Sequence, residues 1–202
     1  MFYLYRLIRF SFRFLWWILN YLRFNNLGFR SYIDHALKIN GSKNIIVGSR
    51  VYVGYNSWLA ALPLTGEKEC ILEIGNGTCI GNFNHIYATK KIIIGKNVLT
   101  ADKVYISDNQ HVYEDINLPI MKQPIKQINI VEIGDGTWLG ENVCIIGVKI
   151  GKNCVIGANS VVTKDIPDYS VAVGSPAKII KRYNFETKLW DLTNSDGLFI
   201  VN

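Results

Sequence analysis

The stretch IGDGTWLGENVCIIGVKIGKNCVIGANSVVTKDIPDYSVAVGSPAKIIK, residues 133–181, decides the architecture. Ile133, Leu139, Ile150 and Ile156 are each followed by glycine, and Ile145 and Val162 keep the aliphatic beat without it. The fifth position of each six is small or β-branched: Thr137, Val143, Cys154 and Ser160. Strands repeat every two residues and helices every 3.6, so aliphatic residues six apart fit neither. A unit this short cannot bury its apolar side alone; it does so by stacking on its neighbours in a solenoid. Six residues suit one flat side of a triangular coil. The aliphatic residue points inward, the fifth fills the remaining core, and the glycine relieves crowding where the backbone turns. Ile145 to Ile150 spans only five residues, so one corner is a residue short.

Upstream the same beat recurs at Val47, Val53 and Leu59, at Ile74, Ile80 and Ile86, and at Ile94, Thr100 and Ile106. The step from Ile86 to Ile94 is eight, which places two extra residues at a corner. Residues 60–68, with Pro63 and Gly66, read as an excursion between coils. Residues 107–130 break the repeat completely, and solenoid insertions of this kind form surface loops and often binding faces. Residues 25–45 read as the lead-in to the first coil. Phe185, Leu189, Trp190 and Leu192 suggest a short helix near the C-terminus, acting as a cap or subunit contact. The chain therefore divides into an N-terminal helix (1–30), an all-β solenoid (31–182) and a C-terminal helix with tail (183–202).

A chain of 202 residues supports one core, and the repeat leaves no room for a second domain. Its 22 basic and 16 acidic residues give a net charge of +6. Five arginines (Arg6, Arg9, Arg13, Arg23, Arg30) fall in the first thirty positions, which hold no acid; the body is left at 17 against 16. A nucleic-acid protein carries its basic stripe on the folded domain, so nucleic acid is not an expected partner. Cys70, Cys79, Cys144 and Cys154 show neither CxxC spacing nor a compact disulfide framework, and fit buried thiols in a reducing compartment. Residues 1–24 are aromatic and aliphatic, with Arg6, Arg9, Arg13, Asn20 and Arg23 on one helical face. The longest uncharged run there, residues 14–22, is too short to cross a bilayer, which needs about 20 residues. No small-residue cleavage site marks a signal peptide. Two readings stay open: a helix lying in the membrane interface with arginines toward anionic headgroups, or a helix docked on the solenoid end or on a partner subunit.

The chemistry-bearing residues concentrate around the insertion. His111, in ISDNQHVYED, sits at the root of the long loop, where a histidine can take a proton from an alcohol attacking a carbonyl. Asp108, three residues earlier, has the reach to orient the ring. From these residues alone, a plain surface-loop histidine fits as well. Trp138 is an awkward corner residue unless it covers something. The lone histidines His35 and His85 read as structural or, for His85, as packed at a corner. His35, His85 and His111 include no close pair, so a three-histidine zinc site is not expected.

The repeat together with the ending VVTKDIPDYSVAVGSPAKIIK resembles the hexapeptide-repeat acyltransferases over roughly residues 31–190. It is most similar to lipopolysaccharide O-antigen and capsule O-acetyltransferases, through ISDNQH, Trp138-Leu139-Gly140 and the tail KRYNFETKLWD. That resemblance implies a left-handed parallel β-helix, against the usual right-handed crossover. It implies acetyl-CoA as co-substrate, no metal, and homotrimers with each active site between two β-helices. His111 matches the catalytic base, although Asn109, Gln110 and Val112 replace the family's His-Asn pair and following glycine. Trp138 matches a residue lining the transfer site, and the backbone N–H of Glu141 matches an oxyanion donor. Ala158, Thr163 and Lys164 match positions along the pantetheine arm, and Lys178 and Lys181 match basic positions near its nucleotide end. His85, Asn82 and Asn84 match the region facing the acceptor, where Gly81 replaces an asparagine used by some members.

The expectation is therefore acetyl transfer from acetyl-CoA to a sugar hydroxyl in surface-polysaccharide biosynthesis. The expected location is the cytoplasm, peripheral on the inner face of the cytoplasmic membrane. An acetyltransferase on a soluble amino sugar or small amine and a non-catalytic scaffold are the competing readings.

Overall fold

The computed structural model describes residues 2–200, with side chains described from Ser11 onward. Its body is a three-sided solenoid of parallel strands. Side A stacks Asn26–Leu27, Ile45–Val47, Ile71–Ile74, Lys91–Ile94, Val131–Ile133 and Lys149–Ile150. Side B stacks Tyr32–Ile33, Tyr52–Val53, Cys79–Ile80, Leu99–Thr100, Trp138–Leu139, Val155–Ile156 and Ser170–Val173. Side C stacks Lys38–Asn40, Trp58–Ala61, His85–Ala88, Tyr105–Ser107, Cys144–Ile146 and Val161–Val162. Leaving aside the insertion and the last strand of side B, each solenoid strand hydrogen-bonds to the solenoid strand three further along the chain, so one coil is one strand from each side.

The register follows the six-residue beat. Val47, Ile74, Ile94, Ile133 and Ile150 form one inward column on side A. Ile80, Leu139 and Ile156 on side B and Leu59, Ile86, Ile106 and Ile145 on side C line the other two walls, all buried. The fifth-position residues Thr137, Val143, Cys154 and Ser160 are buried between them. Each such aliphatic side chain contributes about 1.5–3 kcal/mol by leaving water.

The irregular corners have local causes. The five-residue step is closed by Gly147 at φ 58°, where an added Cβ would lie 2.7 Å from Ile128. At the eight-residue step the extra residues Thr89 and Lys90 turn their N–H groups onto the carboxylate of Asp108. The insertion is more than a loop. Asn109–His111 and Ile125–Gln127 pair antiparallel, and Ile120–Lys122 adds a short 3-10 turn.

Two expectations need correcting. The solenoid begins at Asn26, because Leu27-Gly28 already carries the beat six residues before Ile33, and the N-terminal helix, α1 (Phe2–Asn20), ends earlier than residue 30. The C-terminal helix is absent: Lys178–Asn184 and Leu189–Leu192 form an antiparallel hairpin extending side B. Turn chemistry decides this. Asn184 Oδ1 accepts from the N–H groups of Glu186 and Thr187, and Lys188 adopts φ 57°, which fits a tight reversal. Tyr183 then meets Trp190 across the ladder with ring centroids 5.8 Å apart.

Of the two readings left open for the N-terminal helix, docking on the solenoid end is the one the described side chains show. Arg6 and Arg9 lie outside the residues whose side chains are described, but Arg13 turns toward the solenoid. The Arg13 guanidinium lies 5.1 Å from the ring centre of Tyr32 and 5.5 Å from that of Tyr52. Trp16 packs edge-on against Tyr32, and Trp17 against Phe29. The Trp17 indole N–H donates to the carbonyls of Leu27 and Gly28 at 3.1 and 2.9 Å. In the next coil the Val47 carbonyl, register partner of Leu27, accepts from the Gly28 N–H of the coil before it. The first coil has no coil before it, and Trp17 takes that place. Helix α1 is an end cap.

Candidate active site

His111 leaves the solenoid at the end of a buried polar knot. Ser107, Asp108 and Asn109 are all buried, while His111 is exposed on the hairpin. Asp108 Oδ1 accepts from the Thr89 N–H at 2.8 Å, the Thr89 hydroxyl at 2.9 Å and the Asn109 amide at 3.0 Å. Its Oδ2 accepts from the N–H groups of Lys90 and Lys91, both at 2.8 Å. Five donors saturate a carboxylate with about four lone-pair directions. Asp108 therefore does not orient the His111 ring, and among the described residues no hydrogen bond joins the two. It holds the hairpin root instead. Gln127 completes that anchor: its amide donates to the Asp108 carbonyl at 2.7 Å, its oxygen accepts from Thr65, and the single Thr89 hydroxyl proton is shared between that oxygen and Asp108 Oδ1, both 2.9 Å away. Sequence reading missed Thr89 and Gln127, because only the stacking of coils brings them together.

Trp138 stands on side B, 48 % exposed, in one outward column with Leu99 and Val155. The following corner explains why the next residues matter. At equivalent corners an Asx side chain of the next coil caps the backbone N–H. Asn82 Oδ1 accepts from Tyr55 N–H, and Asp102 Oδ1 accepts from Asn82 N–H. Opposite Glu141 the next coil carries Ala158, which has no oxygen to offer. Among the described residues the Glu141 N–H has no hydrogen-bond partner, and its side chain turns away to Lys103 at 3.2 Å. The two coils are drawn together at Gly140, where a Cβ would lie 2.6 Å from the Ala158 nitrogen. The result is an open backbone donor beside an exposed indole. Asn82 and Asp102 each cap the corner one coil before them, whereas Glu141 and Ala158 do not, so the N–H groups of Asp102 and Glu141 are both left uncapped among the described residues.

The other expected residues separate into two groups. Ala158, Thr163, Lys164, Lys178 and Lys181 are all exposed toward the C-terminal end of the solenoid, Lys178 and Lys181 on the first strand of the terminal hairpin. They leave cationic and backbone groups accessible, as a nucleotide-bearing co-substrate requires. On the acceptor side, Asn84 is buried and its amide is engaged with the carbonyls of Asn82 and Ala101 and the Thr100 hydroxyl. It is a corner brace and offers nothing to a ligand. Asn82 is tied to Tyr55 and Asp102. His85 stacks on Trp58 with centroids 4.4 Å apart and planes 7° from parallel, and meets Tyr105 edge-on at 5.2 Å. Burial lowers its pKa, and its Nε2 is buried without a hydrogen-bond partner. His35 bonds its neighbour Asp34 at 2.6 Å.

Other chemistries find less support. Burial pushes the Cys70 thiol up to about 12 and raises those of Cys79, Cys144 and Cys154, so none is poised as a thiolate. Among the described residues no three metal-binding side chains cluster.

The comparisons with known proteins identify the family. Residues 130–164 match the family model described as hexapeptide repeat of succinyl-transferase. The chain is 41% identical over 171 residues to the Escherichia coli (strain K12) protein named "Putative lipopolysaccharide biosynthesis O-acetyl transferase WbbJ", covering 81% of each. The chain belongs to the hexapeptide-repeat acyltransferases. A second relative, the galactoside O-acetyltransferase of the same organism, is 33% identical over 77% of this chain and 75% of its own. Among solved structures, a galactoside acetyltransferase in complex with coenzyme A superposes at TM-score 0.50 with 26% identity, over 86% of this chain and 72% of that one. As a hexapeptide-repeat acyltransferase this chain is an enzyme, and the open corner at Glu141 lies within the stretch that the family model matches.

Proposed function

We propose that the protein transfers acetyl from acetyl-CoA to a sugar hydroxyl in the synthesis of a surface polysaccharide such as O-antigen or capsule. The observation that carries this reading is the Glu141 N–H left open by Ala158 beside Trp138. The winding is left-handed, as in the family. His111 takes the proton of the sugar hydroxyl, and the oxygen attacks the thioester carbonyl directly. The Glu141 N–H holds the tetrahedral oxyanion, a donor worth about 2.7–4 kcal/mol at the transition state. Collapse breaks the C–S bond, and the departing thiolate takes the proton from the His111 imidazolium. Thr163, Lys164, Lys178 and Lys181 hold the co-substrate along the edge, and His85 and Asn82 border the acceptor.

A single solenoid divides this machinery. Trp138 stands on side B, whereas His111 springs from the end of side C. The outward column of side A runs Ile46, Glu73, Ile93, Glu132 and Lys149, while sides B and C show Leu99, Trp138, Trp58 and Tyr105 with fewer charges. Apolar outward columns on two adjacent sides suit a homotrimer in which side B of one copy meets side C of the next. The reading places the enzyme peripherally on the cytoplasmic membrane, through α1, within reach of a lipid-linked acceptor.

The test is release of free coenzyme A from acetyl-CoA across a panel of soluble and lipid-linked sugars, with products checked for base-labile esters. Sugar-dependent release with ester products supports O-acetyl transfer. Base-stable products mark an amine acceptor, and no release with any sugar contradicts the proposal.

A further inference from the structure

The end cap is turned the wrong way for a protein that stands free in water. Terminal solenoid units normally carry a polar outer face for solubility. Here the polar and indole residues Arg13, Trp16, Trp17 and Asn20 face the solenoid, and the opposite face of α1 is apolar. Leu15, Ile18 and Leu19 on that face, and Leu22 just beyond it, are each at least half exposed, Leu19 at 73% and Leu22 at 79%. On the flank of α1, between the helix and the solenoid end, a cavity of about 220 Å³ opens between Arg13, Phe14, Trp17 and Arg30. Two guanidinium groups line it together with two aromatic rings.

We propose that this end of the molecule is a lipid-docking surface: the outward face of α1 enters the headgroup–acyl boundary, and the Arg13–Arg30 cavity takes the phosphate of an anionic lipid. Charge selects the occupant. The first thirty residues carry five arginines and no acid, whereas the remainder is balanced at 17 against 16. A second copy of this cap would set five cations against five with no acid between them. An anionic bilayer is complementary in both charge and polarity. No helix among the described residues is long and apolar enough to cross a membrane, which fits a helix lying in the surface. The arginines hold phosphates from the solenoid side while the apolar face enters the acyl layer. The solenoid then stands end-on to the membrane, its first coil nearest the lipid. This rests on the peripheral attachment proposed above and adds the face, the headgroup chemistry and the orientation.

The full-length protein is floated with vesicles of phosphatidylcholine alone and of phosphatidylcholine with phosphatidylglycerol, beside the variants Leu19→Glu and Arg30→Gln. Both residues are exposed, and retention of fold is checked by acetyl transfer to a soluble sugar. Wild type should favour the anionic vesicles. Leu19→Glu should lower binding to both compositions by about tenfold or more. Arg30→Gln should lower binding to the anionic vesicles by about fivefold and leave the neutral ones unchanged. Wild type that binds neither composition overturns the attachment itself. Wild type that binds anionic vesicles, with both variants binding equally well, overturns this docking face alone. A change of solution mass in Leu19→Glu without vesicles assigns the face to a second copy and contradicts the proposal.

Discussion

Asp108 and His111 stand three residues apart and do separate jobs. Asp108 is buried and saturated by Thr89, Lys90, Lys91 and Asn109. Asp108→Ala leaves several buried N–H groups unpaired at about 1–3 kcal/mol each, so denaturant unfolding should show a loss of about 3 kcal/mol or more. An unchanged midpoint would return Asp108 to the role of ring orienter. The open donor at Glu141 makes a sharper contrast. Glu141→Ala removes only a half-exposed ion pair with Lys103 and should leave kcat nearly unchanged, because the working group is main-chain. Ala158→Asp extends the Asx ladder over the same N–H and should lower kcat by about 10²–10³-fold while stability holds. If Glu141→Ala proves the more damaging of the two, the oxyanion assignment is wrong. His111, Trp138 and Glu141 were legible as types in a motif. The work of Asp108 was not, because Thr89 lies nineteen positions away and meets it only through an eight-residue corner.

Elements were legible where volume dictates them. Every aliphatic on the six-residue beat had one place to go, and Ile74, Ile80 and Ile86 went there. The terminal segments carry no such constraint. Phe185, Leu189 and Trp190 fit a helix by spacing, but the Asx turn at Asn184 and the free edge of side B favoured a hairpin. For α1 the spacing of the arginines left two readings open, and the carbonyls of the first coil that accept from Trp17 favour docking on the solenoid end. The aromatic column on side C makes an element-scale prediction. Burial holds the His85 pKa below its ordinary value, so the unfolded chain binds the proton more readily than the fold does. Stability from this group is complete above about pH 6.5 and falls as pH drops below it. Thermal melts should show that acid limb, and His85→Phe should flatten it. An acid limb of the same size in the variant would assign it to other groups.

For the whole molecule, the proposed assembly rests on how the three sides differ outward. Side A mixes Glu73, Glu132 and Lys149 with Ile46 and Ile93, sides B and C carry aromatic and aliphatic columns, and the proposed machinery is split between the latter two. The sequence shows the columns only once the coil register is known, because outward residues sit one place from inward ones and look alike in a string. The most direct test mixes two defective chains. His111→Ala lacks the base and Ala158→Asp lacks the open donor, and each alone should turn over about 10²–10⁴-fold more slowly than wild type. Refolded together in equal amounts, they should form, if the proposed homotrimer holds, mixed assemblies in which about one site in four pairs an intact His111 with an intact Glu141 corner. Acetyl transfer should return to about a quarter of the wild-type rate. Full activity in His111→Ala alone, or no recovery in the mixture, would contradict a site built from His111 of one copy and the Glu141 corner of the next.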